Sequence, residues 1–93
     1  MQHFAKEYII ILPRAEEYRH LYNISIDDVL LCLNDPDTRE GLATDHYTVE
    51  KVLGDHHIYV YYYMIFPLQA KNSQIYAVID FIGYTTTKEE ITS

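Results

Sequence analysis

His57-Ile58-Tyr59-Val60-Tyr61-Tyr62-Tyr63-Met64-Ile65-Phe66 decides how this chain folds. After the histidine come nine residues without a charge. Most are β-branched or aromatic, the side chains that suit a pleated, half-buried surface. The run is too short for a membrane-spanning helix, which takes about 20 apolar residues. A strand apolar on both alternations lies mid-sheet, with some cover on each face.

The segments on either side can be arranged around it. Residues 46–53 read as a second strand, joined to the first by Gly54-Asp55, a two-residue pair suited to a type II′ hairpin turn. That turn sets Leu53 opposite His56, Lys51 opposite Ile58 and Val49 opposite Val60. One face then carries Tyr47, Val49, Lys51, Leu53, Ile58, Val60, Tyr62, Met64 and Phe66. It is the more apolar face and belongs under the helices, with the Lys51 ammonium reaching water at the margin. The other face carries His46, Thr48, Glu50, Val52, His57, Tyr59, Tyr61, Tyr63 and Ile65.

Further out, residues 67–73 read as a loop and 74–83 as the last strand. Strict alternation puts Ile75, Ala77, Ile79 and Phe81 in the core. It puts Tyr76 and Asp80 on the tyrosine face, with Asp80 near Tyr59 or Tyr61. Toward the N-terminus, Tyr8-Ile9-Ile10-Ile11-Leu12 is a buried strand and Pro13 opens a helix over 13–23. Tyr18 and Tyr22 read as core-edge aromatics. Ile24-Ser25-Ile26-Asp27-Asp28-Val29 starts a second helix: Ser25 is the N-cap, acids fill the first turn, and Ile24 with Val29 forms a hydrophobic staple. Ile26, Val29, Leu30 and Leu33 form its apolar stripe. Pro36 ends it, and residues 38–45 read as a polar loop. The expectation is an α+β fold in the order β-α-α-β-β-β, with two helices on one face of a mainly antiparallel four-stranded sheet.

Composition narrows the function. Ninety-three residues make one small domain, 1–93, with an ordered core over about 7–84 and a polar tail over 85–93. No signal segment or spanning segment is evident, and the single cysteine, Cys32, reads as a buried, inert thiol; both suit the cytoplasm and exclude a membrane role. The net charge of −7 opposes nucleic acid, since phosphate contacts supply most non-specific affinity. Ten tyrosines suit a recognition surface. No motif calls for a cofactor. Five histidines suggest metal, but His56 and His57 point to opposite faces, and His46 lies roughly 23 Å along the strand from the turn. No metal site is expected.

The run Tyr8-Ile9-Ile10-Ile11-Leu12-Pro13, the segment from Ile24-Ser25-Ile26-Asp27-Asp28-Val29 to Asn34-Asp35-Pro36, and the three strands after them resemble the small toxins of the RelE superfamily. The likeness is to its BrnT-like branch and related uncharacterised proteins, and covers residues 8–84. It implies a bacterial toxin of a toxin-antitoxin pair: a metal-independent ribonuclease that cuts messenger RNA and is neutralised by an antitoxin. It also implies cationic, His and Tyr side chains at the phosphate. By type and place these are Arg14, Lys51 and Tyr84, with His46 or His57 as acid or base. The chain departs from that pattern in its acidity and in carrying Tyr18 and Tyr22 where related helices carry arginine.

These readings leave three functions. The first is a diverged RelE/BrnT-like protein that acts by binding a protein partner, antitoxin-like or a second copy of itself. The second is the active ribonuclease, the one reading in which RNA is a partner. The third is a small-molecule binder using Tyr59, Tyr61, Tyr63, Tyr76, Glu50 and Asp80.

Overall fold

The computed structural model describes residues 4–66 and 75–86. A short 3-10 turn, Lys6–Tyr8, leads into β1 (Ile9–Ile11), α1 (Pro13–Leu21) and α2 (Ile26–Asn34). Then come β2 (Thr38–Ala43), β3 (His46–Leu53), β4 (His56–Ile65) and β5 (Tyr76–Thr86). The strands form one open five-stranded sheet in the order β1-β5-β4-β3-β2. β1 runs parallel to β5 and every other pair is antiparallel. The fold is α+β, as the pattern implies, but the sheet is five-stranded and mixed rather than four-stranded.

The additional strand is β2, in place of the expected polar loop. All six of its residues are exposed. It therefore lacks the apolar alternation by which a strand is read from sequence, and it is held by backbone pairing to β3 from Thr38↔Glu50 to Ala43↔His46. Asp45 supplies the positive φ, 63°, in the turn back to β3; aspartate tolerates that region better than most residues. The outer edge of β2 is guarded by Arg39, Glu40 and a register shift near Leu42, devices that discourage further strand addition.

The β3–β4 register is the expected one, with Leu53↔His56, Lys51↔Ile58 and Val49↔Val60. Gly54 has φ 64° and Asp55 does not share the positive φ, the combination a type II′ turn needs. The core faces the helices. Val49, Val60 and Ile79 are fully shielded, Ile58 and Tyr62 nearly so. Phe66 lies beyond the end of β4 and is exposed.

Strict alternation fails in β5. Tyr61 pairs with Phe81 but Tyr62 pairs with Ile79, so Asp80 is an extra residue in a β-bulge. The bulge changes the parity of the residues beyond it. Ile82, not Phe81, enters the core, and Phe81 is left partly exposed. On the tyrosine side Gly83 makes room for it: a Cβ there would come within 3.2 Å of the Phe81 ring and 3.4 Å of Tyr59. The loop and strand start expected over 67–74, and the tail over 87–93, lie outside the described residues.

α1 ends in a Schellman motif. Ile24 N–H donates to the Arg19 carbonyl at 2.9 Å and Asn23 N–H to that of His20 at 3.2 Å. Asn23 takes the left-handed conformation, φ 58°. The Arg19 guanidinium braces the same corner by donating to the Ile24 carbonyl at 3.0 Å and pairing with Glu16. α2 begins at the expected cap: Asp28 N–H donates to Ser25 Oγ at 3.0 Å. Its buried face is Val29, Cys32 and Leu33, while Ile26 and Leu30 are only half-buried. The stripe is thus turned toward Cys32, and burial pushes the pKa of that thiol up to about 12. At the far end of α2 the Asn34 amide clasps the Phe4 backbone. It accepts from Phe4 N–H at 2.7 Å and donates to Phe4 C=O at 2.9 Å. This sets the Phe4 ring edge-on to Tyr62.

Replacing Ser25 with alanine removes one acceptor from the helix end and should lower stability by about 1 kcal/mol. Equilibrium unfolding in urea measures it. An unchanged midpoint would show that the Ser25 hydroxyl contributes nothing to the cap.

Candidate functional site

The helix-free face of the sheet gathers most of the residues expected to recognise a ligand. Tyr59, Tyr61 and Tyr63 lie along β4, and all three are half-buried, as is Tyr76 on β5. Tyr76 meets the ring of Tyr8 edge-on at 5.5 Å. The imidazole of His46 lies against Tyr61 and Tyr63, with ring centroids 6.2 and 5.3 Å away. His46 Nδ1 is 2.7 Å from the Thr44 carbonyl oxygen. A carbonyl can only accept, so Nδ1 carries the proton and Nε2 faces outward.

Glu50, His57 and Tyr59 form a chain. Glu50 Oε1 is 3.0 Å from His57 Nε2, and Tyr59 Oη is 3.2 Å from His57 Nδ1. The cross-strand pairing of Glu50 with Tyr59 and of Val52 with His57 builds it. An ionised carboxylate accepts, so His57 Nε2–H donates to Glu50, and the Nδ1 of the neutral ring accepts from the Tyr59 hydroxyl. Both imidazole nitrogens are occupied within the chain. The chain holds the His57 ring in place and orients the Tyr59 hydroxyl.

The residues implied for a ribonuclease do not converge. Lys51 lies on the helix side, its Nζ 3.4 Å from Asp35 and 3.5 Å from Asp37. Tyr84 pairs with Ile58 on that same side and hydrogen-bonds His56. His46 and His57 are on the opposite face. Arg14, at the start of α1, reaches Asp80 at 3.8 Å. Asp80 thus serves the bulge and Arg14 and is not part of the Glu50 chain. Among the described residues no three His, Cys, Asp or Glu side chains could share a metal ion.

Two further features have no counterpart in the residue pattern. Arg39 sits 4.4 Å above the Tyr47 ring, a cation–π contact on the helix side. A cavity of about 300 Å³ opens where the α1–α2 corner meets the β3–β4 turn. It brings together Asp28, His56 and Tyr84, which are far apart in the chain. The hairpin register does place His56 and Tyr84 near one end of the sheet, but nothing in the residues alone shows how α2 lies over them.

No family model matches this chain, and neither a curated protein nor a solved structure matches it. No helix among the described residues is long and apolar enough to cross a membrane.

Among the described residues two carboxylates are held below their usual range: Glu16, by its hydrogen bond from Arg19, and Asp37, beside Lys51. The Asp37 carboxylate is held below its usual range, chiefly because Val52 N–H donates to it at 2.8 Å, with Lys51 adding to the effect. Desolvation disfavours the Lys51 ammonium, but hydrogen bonds and attraction to Asp35 and Asp37 outweigh it and raise its pKa. A depressed carboxyl pKa contributes stability above its unfolded value, about 3.9, and that contribution disappears as pH falls through the folded value. Stability should therefore fall with acidification below about pH 4, and Asp37→Asn should make the fall shallower. Urea unfolding from pH 6 to pH 2 measures this; parallel curves for the two proteins would show that Asp37 is not linked to folding.

Proposed function

We propose that this chain is a diverged protein of the RelE/BrnT-like toxin type that works by docking a protein partner on its tyrosine face. The observation that carries the reading is the row Tyr59, Tyr61, Tyr63 and Tyr76: half-buried rings on a sheet face that neither α1 nor α2 covers. Rings of this kind offer large contact area at low conformational entropy, with a hydroxyl at the tip. Exposed Val52 and Ile10 add apolar area. The order strand, two helices, then an antiparallel meander supports this reading. β2 is an addition to the expected order.

Charge selects the kind of partner. A second copy would bring another −7 and another Glu50 against the same face. A partner presenting lysine or arginine around an apolar centre would complement it. The test places a photo-cross-linking side chain at Thr48 on this face, with Leu31 on α2 as control, in the protein's native cells. One discrete adduct with a basic protein is expected at Thr48, lost in Tyr61→Ser/Tyr63→Ser. Adducts only with the chain itself, or identical adducts from both positions, would overturn the proposal.

The same reading predicts no appreciable RNA cleavage by the purified protein at physiological salt. The cations a phosphate would need are engaged elsewhere, Arg14 with Asp80 and Lys51 with Asp35 and Asp37. The assay uses a labelled messenger fragment, free and on ribosomes. Cleavage abolished by Arg14→Ala or Lys51→Ala, with both variants folded, would establish the ribonuclease instead.

A further inference from the structure

The cavity at the α1–α2 corner is chemically distinct from the tyrosine face and lies on the other side of the sheet. Its floor is apolar, formed by Ile24 and Ile58, both almost fully shielded, and by Leu53. One wall is aromatic. Tyr22 and Tyr84 stack with centroids 5.1 Å apart and planes at 13°, and His56 adjoins Tyr84 through a hydrogen bond and a ring contact at 5.1 Å. Opposite stands Asp28. Its backbone N–H is taken by Ser25 Oγ, but its carboxylate has no hydrogen-bond or ion-pair partner among the described residues. Among the described residues no lysine or arginine lines the cavity.

We propose that this cavity binds a small organic cation: an ammonium or guanidinium head on a short aliphatic stem. The head meets the Asp28 carboxylate, with the Tyr22–Tyr84 stack as the wall beside it. The stem lies on Ile24, Leu53 and Ile58. About 300 Å³ is at the small end of ligand pockets and suits a stem of a few carbons. The position of Asp28 in the first turn of α2 argues against an anion. The capping hydroxyl of Ser25 and the carboxylates of Asp27 and Asp28 already answer the positive end of that helix. The overall charge of −7 draws cations toward the whole surface. The corner is also firmly built, through the Schellman motif and the Arg19–Ile24 hydrogen bond, so little ordering has to accompany binding.

The head could belong to a free amine or to an arginine side chain of another protein, and the experiment separates the two. Calorimetric titrations of the full chain use agmatine, an acetylated and amidated Gly-Arg-Gly peptide, and 1-pentanol and pentanoate as neutral and anionic controls. Binding of the cations alone is expected, weakening as salt is raised. Asp28→Asn should reduce affinity by up to about fivefold, the upper end for an exposed ion pair, while the Ser25 cap and the circular dichroism spectrum stay unchanged. Tyr22→Leu, which removes one ring and keeps an apolar wall, should weaken binding as well. Tighter binding of agmatine assigns the site to a free amine, tighter binding of the peptide to a protein side chain. Equal binding of pentanol, binding indifferent to Asp28→Asn in a folded variant, or no heat with either cation would overturn the proposal. None of these outcomes touches the tyrosine face.

Discussion

β4 is hydrogen-bonded on both sides, to β3 and to β5, so its side chains have to alternate strictly between two faces. The rest of the molecule depends on that constraint. Ile58, Val60 and Tyr62 go to one side and need cover. Val29, Cys32 and Leu33 of α2 give it, with Ala15 of α1 and Phe4 closing the ends of the same cluster. Tyr59, Tyr61 and Tyr63 then have no choice but the other side. An all-tyrosine alternation there is a compromise: the rings pack on their sheet neighbours while the hydroxyls reach water or, for Tyr59, an imidazole.

The bulge at Asp80 solves a second problem of the same kind. Without an extra residue, β5 would carry Asp80 into the ladder beside the apolar β4, where a lone charge is unfavourable. With it, Ile79 and Ile82 both face inward at a spacing of three, and the carboxylate turns toward Arg14. α1 then takes over the edge of β5 where β1 stops after three residues. Tyr18 meets Phe81 edge-on at 5.2 Å, and Tyr22 stacks on Tyr84. Two tyrosines at i and i+4 on a helix thus close a sheet edge, which is also how the cavity acquires its aromatic wall.

Local chemistry is legible in the residues themselves: the turn at Gly54-Asp55, and with it the register and both faces of the hairpin, and the cap at Ser25. Each is decided within a few residues. The misreadings share a different origin. β2 has no buried side chain, so its existence depends on the backbone of β3. The parity change at Asp80 depends on how β5 pairs with β4, and Ile79-Asp80-Phe81 by itself reads as plain alternation. The rotation of α2 toward Cys32 depends on what lies beneath it. At the candidate site, the tyrosines and Glu50 follow from parity alone, whereas the conjunction of Asp28, His56 and Tyr84 requires the packing of α2 on the hairpin end.

The two sides also differ in how completely they satisfy their own polar groups, and that bears on what each can do. On the open face His57 is occupied at both nitrogens, and His46 has one nitrogen fixed by a carbonyl. What that face leaves open is chiefly aromatic surface. On the helix side the cations are matched to local partners: Lys51 to Asp35 and Asp37, Arg19 to Glu16, Arg39 to the ring of Tyr47. With these charges answered, the excess of carboxylates is what remains to act over distance. A net charge of −7 repels a polyanion and attracts a cation, and Asp28 is a carboxylate that lines a concave, partly aromatic cavity. The proposed partners, large or small, are cationic because that charge is unanswered.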